Sequence, residues 1–516
     1  MEETKIKRKV ISGLLLLTVA VLVILPEASA SQNYLWMSAE MNHKDTNKRR
    51  IQDGATIQLE AKPFVKSING RNVTMYGYNG QIPGPVIKVR QGSSIYVNFT
   101  NNLDIETTVH WHGLRLENRF DGVPEVTQEP IKPGKSFLYK LDFPDEGIYW
   151  YHPHIRDDIG QEMGLYGNIL VEPAHHKSSS VDKEAALFLD DIKVVNGDIY
   201  PFNRDYADFT LTGRFGNIML INGDVNYQLN VKKGEMVRFY LTDSANTRTF
   251  NFSIENTKMK LIGGDSGRYE KETVIDSVLL SIGERYIVDV LFDKPGTFRI
   301  LNNIPEENNA LKTYVLGTVK VSDQASHRKK SSGFSISKKN YDVISDIAPL
   351  KKYRSTAPDY ELYLTIDILD EDLEKELEKM MMAVELIEWD EDEKMAMMNS
   401  MSTSENVKWM IMDNATGKEN PSYQIKVGDK KKIRIFNDPE SMHPMQHPMH
   451  LHGQRFLVLA QDGKPDDNLV WKDTVLVPAG STIDILVEFT NPGKWLMHCH
   501  IPEHAEAGMI ASFVVG

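Results

Sequence analysis

An all-β chain of three β-sandwich domains, with a helical insert in the third, is the fold class that this 516-residue sequence predicts. Three observations predict it. A segment repeats: Tyr78-Asn79-Gly80-Gln81 running through Val86-Ile87-Lys88-Val89 to Gly92 is echoed by Ile221-Asn222-Gly223-Asp224 through Leu229-Asn230-Val231 to Gly234. A weaker echo runs from Tyr423-Gln424-Ile425-Lys426-Val427 to Gly428. Each copy precedes an alternating run, Ser94-Ile95-Tyr96-Val97, Met236-Val237-Arg238-Phe239 or Lys432-Ile433-Arg434-Ile435, with the two-residue period of a half-buried strand. Each unit then ends in a turn before a last strand, at Pro144 to Gly147, Pro295-Gly296 and Pro492-Gly493. Short strands punctuated by turns in this way are the mark of a sandwich.

Taken in order, residues 1–30 read as a signal peptide. Lys5, Lys7, Arg8 and Lys9 are its basic start, Val10 to Leu25 its apolar core and Ala28-Ser29-Ala30 its small-residue cleavage site. Cleavage would export the chain to the periplasm or the exterior. Left uncleaved, the apolar run of about 16 residues is marginal for spanning a bilayer and would act as an anchor. After cleavage no stable membrane insertion is expected. The first domain is expected over 31–176, the second over 177–321, an exposed Ser/Lys-rich linker over 322–352 and the third domain over 353–516, interrupted at 370–404. A net charge of −13 with no basic stripe excludes nucleic acid as a partner.

The chemistry lies in the histidines. Scattering 15 histidines at random over the chain would give on the order of 0.4 His-x-His pairs, and the chain has four: His110/His112, His152/His154, His450/His452 and His498/His500. On a strand each pair presents both imidazoles on one face, as gripping a metal cluster requires. The only cysteine, Cys499, sits between His498 and His500 and therefore faces the other way. A thiolate, two imidazoles and a weak axial thioether are the donors of a blue-copper site. Cys499, His504 and Met509 supply three, and the cluster His447-Pro448-Met449-His450-Leu451-His452-Gly453 offers the missing imidazole. A lone cysteine in an exported chain is otherwise a loose thiol; metal ligation accounts for this one.

Together these segments resemble the multicopper oxidases, the family of laccases, ferroxidases and bacterial cuprous oxidases, over nearly all of the mature chain. The resemblance implies three cupredoxin-like Greek-key domains and four coppers. It implies type 1 copper on His447, Cys499, His504 and Met509, and type 2 copper on His110 and His450. The type 3 pair would take His112, His152, His154, His452, His498 and His500. Electrons from a reductant would enter at type 1 and pass through Cys499 to its flanking histidines, and O₂ would be reduced to water at the cluster. All motif histidines fall in the first and third units, so the cluster is expected where those meet, with the second unit as a structural spacer. Asp121 matches a family carboxylate beside the cluster. Many bacterial members have a glutamate directly after the type 1 histidine, where this chain has Ala505; Glu506 is the candidate proton donor instead. Asp473 is a candidate to orient a type 1 histidine. His43, His175, His176, His327 and His443 are left over and read as surface residues.

The insert bears on the substrate. It contains Met380, Met381, Met382, Met395, Met397, Met398 and Met401 among Asp, Glu and strong helix formers. Such methionines are often core filler, but thioether sulfur also selects Cu(I), and the family's cuprous oxidases carry a methionine-rich cover here. Met445 matches a methionine that contacts substrate copper in those members, and His443 stands where they have an aspartate. Met445, His443, Met380, Met381 and Met382 are thus candidate ligands for substrate copper. Cu(I) is the favoured donor, with phenolic or other organic donors, Fe(II) and Mn(II) as alternatives. A copper nitrite reductase would not need the type 3 histidines. A copper-sequestering protein would not need the cluster.

Overall fold

The computed structural model describes residues 40–42, 50–175, 181–305, 310–326, 334–379, 385–391 and 393–516. The residues of the signal reading, and Met380, Met381 and Met382, lie outside these. Among the described residues no helix is long and apolar enough to cross a membrane.

The chain forms three sandwiches of cupredoxin-like type. In the first, the sheet Arg71–Tyr78, Thr56–Ile68, Ser94–Asn101 and Ser136–Asp142 faces the sheet Ile87–Arg90, Gly167–Glu172, Gly147–His152 and His110–His112. The repeated segments occupy equivalent places. Ile87–Arg90, Tyr227–Lys233 and Ser422–Ile425 each pair parallel with the last strand of their own unit, Gly167–Glu172, Leu311–Ala325 and Ile510–Val515. The following alternating strands, Ser94–Asn101, Glu235–Asp243 and Lys430–Asn437, each lie parallel to a strand that precedes them. The turns leading in match too, with φ of 55° at both Asn79 and Asn222, the left-handed conformation that asparagine tolerates best after glycine.

Each sandwich closes over its own apolar layer. Leu187, Phe239, Phe252 and Val288 meet in the second, and Ile433, Ile485, Phe456, Trp409 and Trp495 in the third. Two expectations need correction. Glu40–Asn42, assigned by sequence to the first unit, pairs antiparallel with Lys183–Ala185 and so adds an edge strand to the second unit's sheet. The stretch 322–352, read as an exposed linker, contains the helix Tyr341–Ile347, and Ile347 and Leu350 pack on Leu457, Leu459 and Trp471 of the third unit. Its few apolar residues at helical spacing decide its fate, not its Ser/Lys-rich start.

Among its described residues the insert holds two short helices, Glu371–Glu378 and Glu393–Asn399. The first is capped by Asp370, whose side chain accepts from the backbone N–H of Asp372 and Leu373. Its apolar positions Leu373 and Leu377, four apart, are buried. In the second, Met395 and Met398 are buried in the third unit's core, whereas Met397 and, just beyond the helix, Met401 are exposed.

Candidate metal centres

The strand His110–His112 forms the edge of its sheet beside Gly147–His152, with His110 opposite His152. His447–Leu451 lies between Thr474–Val477 and Gly493–Cys499, placing His450 opposite His498 and Met449 opposite Cys499. Alternation along these strands then sends the histidines of the first and third units into one cavity and Cys499 to the far side.

Eight imidazoles meet there. Ligand atoms of His112, His152 and His500 lie within 4.8 Å of one another, as do those of His154, His452 and His498, and those of His110, His112 and His450. His112 Nδ1 faces His500 Nε2 at 3.1 Å and His452 Nε2 faces His498 Nε2 at 2.9 Å. The rings of His112 and His450 stack at 3.6 Å, and those of His110 and His452 at 4.0 Å. All but His154 are buried. Burial first, then the neighbouring imidazoles, push His112, His152, His154, His450, His452 and His500 well below the ordinary imidazole range. Burial lowers His498 to about 4. These rings are held as neutral donors. His110 Nε2, both nitrogens of His152, His154 Nε2, His450 Nε2 and His500 Nδ1 have no hydrogen-bond partner, which is costly for buried polar atoms unless a cation takes their lone pairs. The donor set therefore fits metal.

The rear nitrogens are held by the protein, which sets each ring's orientation. His110 Nδ1 bonds the Asp121 carbonyl at 2.8 Å, His452 Nδ1 the Asp121 carboxylate at 2.8 Å, and His450 Nδ1 the Asp473 carbonyl at 2.9 Å. His112 Nε2 bonds the Asp473 carboxylate at 3.0 Å. Asp473 thus orients cluster histidines, His112 and His450, rather than a type 1 histidine. Its carboxylate is gripped through both oxygens by Arg285 at 2.5 and 2.6 Å. Removing one partner of such a buried pair costs roughly 3–5 kcal/mol. Arg285 belongs to the second unit, which is therefore more than a spacer. Nothing in the sequence around Arg285 marks it, since its partner lies 188 residues away.

On the other face, Cys499 Sγ lies 3.6 Å from His447 Nδ1 and 3.7 Å from His504 Nδ1, and those nitrogens are 3.3 Å apart. Met509 is buried in the same core, with its carbonyl accepting from the Cys499 backbone N–H. Burial lowers His447 to about 3 and pushes the thiol upward; a bound cation reverses the second effect by favouring thiolate. The Trp409 ring stacks on His504 at 4.3 Å and meets His447 edge-on at 4.8 Å.

Two other readings change. His443, read among the surface residues, is fully buried, 3.4 Å from the Glu388 carboxylate, and burial lowers it to about 4. His175 is exposed; His43, His176 and His327 lie outside the described residues. Glu506 is exposed, whereas Glu503 is fully buried, bonded by Asn246 at 2.9 Å and pushed up to about 8 by burial and by Asp158. Glu503 and Glu506 lie three apart on the short helix Pro502–Glu506 and so share a side, but Glu506 ends the helix and reaches solvent.

Three sandwiches, one Cys–His₂ site and an eight-histidine cavity joined through a single Cys499-centred tripeptide define a copper-dependent oxidoreductase. Family models described as multicopper oxidase match residues 62–176, 192–320 and 389–516, and the chain belongs to the multicopper oxidase family. It is 27% identical over 451 residues to multicopper oxidase mco of Staphylococcus epidermidis, covering 85% of this chain and 83% of that protein. It is 27% identical over 506 residues to multicopper oxidase MmcO of Mycobacterium tuberculosis, covering 92% and 89%. The solved multi-copper oxidase of Pseudomonas thermotolerans superposes with a TM-score of 0.67 at 25% identity, over 90% of this chain and all of that one. Members of the family use O₂ and reducing substrates.

Proposed function

We propose that this chain holds four coppers and oxidises Cu(I) at the expense of O₂, serving copper tolerance outside the cytoplasm. His447, Cys499, His504 and Met509 would hold type 1 copper, and His110 and His450 type 2. The type 3 pair would divide into His112, His152 and His500 for one ion and His154, His452 and His498 for the other. When bound, these coppers supply one-electron oxidation of the donor and four-electron reduction of O₂ to water.

What the chain supplies is geometry, exclusion and protons. Cys499 stands covalently between a ligand of each triad, the shortest connection between the two sites. Asp121, buried and bonded to His452, is a carboxylate next to the cavity that, among the described residues, no guanidinium clamps. Glu503, held largely protonated at neutral pH, is a buried acid with a proton to give; Glu506, raised to about 7 by burial and by Asp158, is a second acid.

The observation that carries the substrate reading is the cover on the type 1 site. His447 and His504 are at most 1% exposed. Trp409 lies on them, and Gln446 is bonded in both directions to the backbone of Glu388 in the strap 385–391, at 2.8 and 3.1 Å. No face is left for a planar phenol. The strap's Glu388 carboxylate lies 3.4 Å from the neutral His443 imidazole, and Met445 is buried two residues further on, a donor set suited to a small soft cation. Oxygen consumption by the copper-loaded protein with Cu(I) and with a phenol, alongside copper per chain, tests this. Four coppers with Cu(I) well ahead supports it. Four coppers with the phenol ahead makes the chain laccase-like, and copper bound without turnover leaves only sequestration.

A further inference from the structure

Among the described residues the second unit contributes none of the grouped metal ligands, yet one of its turns reaches the cluster. Residues 281–285 lead into the strand Arg285–Phe292. Ser281 donates to Glu284 through both its backbone N–H and its hydroxyl, and the Gly283 N–H bonds the Asp243 carbonyl at 3.0 Å. Lys472, beside Asp473, pairs with Glu284 at 3.1 Å. The turn so fixed presses on the cavity: a Cβ placed on Gly283 would lie 3.1 Å from the ring of His500 and 3.2 Å from that of His112. Two residues on, Arg285 is fully buried, donating to the Ile148 carbonyl of the first unit, to the Gly283 carbonyl and to both oxygens of Asp473 in the third. One guanidinium therefore ties all three units together behind His112. The ion pair also occupies the space beside the first motif: at Gly113, with φ of +85°, a Cβ would sit 2.4 Å from Asp473 Oδ2 and 2.7 Å from Arg285 Nη2.

We propose that Arg285 is a positioning residue of the trinuclear site, acting through Asp473 on His112. A carboxylate clamped by a two-pronged guanidinium cannot rotate. Its Oδ1 stays aimed at His112 Nε2, the proton of that ring is kept on Nε2, and Nδ1 is left as the lone pair facing His500 and His152. The guanidinium charge also balances the carboxylate, so Asp473 orients the imidazole without drawing its proton away. Lysine has the charge but not the fork.

This rests on reading the histidine sets as copper sites, and the test separates the two. Full-length wild type, Arg285→Lys and the double variant Arg285→Met/Asp473→Asn, which removes the ion pair as a unit while Asp265 keeps Lys472 at 3.3 Å, would be loaded with copper. Copper per chain, the blue absorption, the electron paramagnetic resonance spectrum and copper loss to a chelator would be measured. We expect both variants to keep the blue centre while losing cluster copper at least about tenfold faster, with an altered type 2 signal. Wild-type cluster spectra and chelator resistance in either variant overturn the proposal. So does failure of both to fold copper-free, which would make the pair an ordinary structural ion pair. A wild-type chain that takes up copper only at the blue site overturns the proposal and the cluster reading together.

Discussion

The Trp409 indole lies flat on the His504 imidazole, ring centroids 4.3 Å apart and planes 28° from parallel, with its Nε1–H bonded to the Thr210 carbonyl of the second unit at 2.7 Å. The aromatic thus belongs to the third unit's core, closes the electron-entry site and fastens it to a neighbouring domain. Trp409→Ala should cost about 3–5 kcal/mol of stability, as large-to-small changes of buried aromatics do, and should open the His504 edge. Phenol oxidation by the folded variant is expected to rise relative to Cu(I) oxidation. An unchanged ratio of the two rates would mean that the cover does not select the donor.

His443 and Glu388 make the second prediction. Glu388→Gln removes the charge beside a buried imidazole, and losing such a supporting group typically weakens metal binding about tenfold to a hundredfold. The apparent KM for Cu(I) should rise by that order while the blue absorption stays. Steady-state oxygen uptake at varied Cu(I) decides it; an unaltered KM removes this pair from the substrate path.

Replacing Cys499 with Ser withdraws the only thiolate. The blue absorption should vanish, copper per chain should fall by the type 1 ion, and oxidase activity should be lost, because His498 and His500 would remain without their electron donor. Optical spectroscopy with metal analysis checks each part, and surviving blue colour would overturn the ligand set.

The copper-free protein should be acid-sensitive, and the sign follows from the histidines. Burial holds His443 and His498 at about 4 and His447 at about 3 when folded, against about 6.5 when unfolded. Between these limits the unfolded chain binds more protons, so stability falls as pH drops from about 6.5 toward about 4. Glu503 and Glu162, raised to about 8, and Glu506, raised to about 7, work oppositely, contributing most below their unfolded value of about 4.3 and losing that contribution as pH rises through about 7 to 8; buried Asp157, Asp190, Asp191 and Asp243 are raised too, but the imidazoles held down by burial outnumber these carboxyls. Denaturant midpoints at about pH 7 and about pH 5 should show the drop, and copper should lessen it by competing with protons for the same nitrogens. Equal midpoints would contradict neutral, buried histidines.

Asp121→Asn should weaken the hold on His452 Nδ1, now bonded at 2.8 Å. Reoxidation of the reduced protein by O₂ is expected to slow about tenfold to a hundredfold with anaerobic reduction of the blue centre untouched. Rapid-mixing absorbance follows the two steps separately.

Much of this was legible in the chain because strands write their geometry locally. Alternation alone sends Cys499 away from His498 and His500, and repeated runs mark equivalent strands in three sandwiches. What escaped depends on partners far apart in sequence. Asp473 reads as a strand-end carboxylate until the fold brings Arg285 and His112 to it. His443 looks spare until Trp409 and Glu388 bury it, and Glu503 and Glu506, three apart on one short helix, are told apart only by what packs over each. The residues 334–352 joined a core because two apolar side chains outweighed the polar stretch before them.

The strap over the blue site is pinned to the second unit. Lys193 bonds Glu391 at 2.8 Å, Arg248 bonds the Trp389 carbonyl at 2.7 Å, and Thr212 and Leu211 bond Asn399 and Ser402 at 3.1 and 2.8 Å. Together with Arg285, this gives the middle domain a hand on both the Cys499 site and the eight-histidine cavity. A shortened, two-domain version of this chain would keep every candidate metal ligand and still lose, at once, the contacts that hold the strap and those that fix His112.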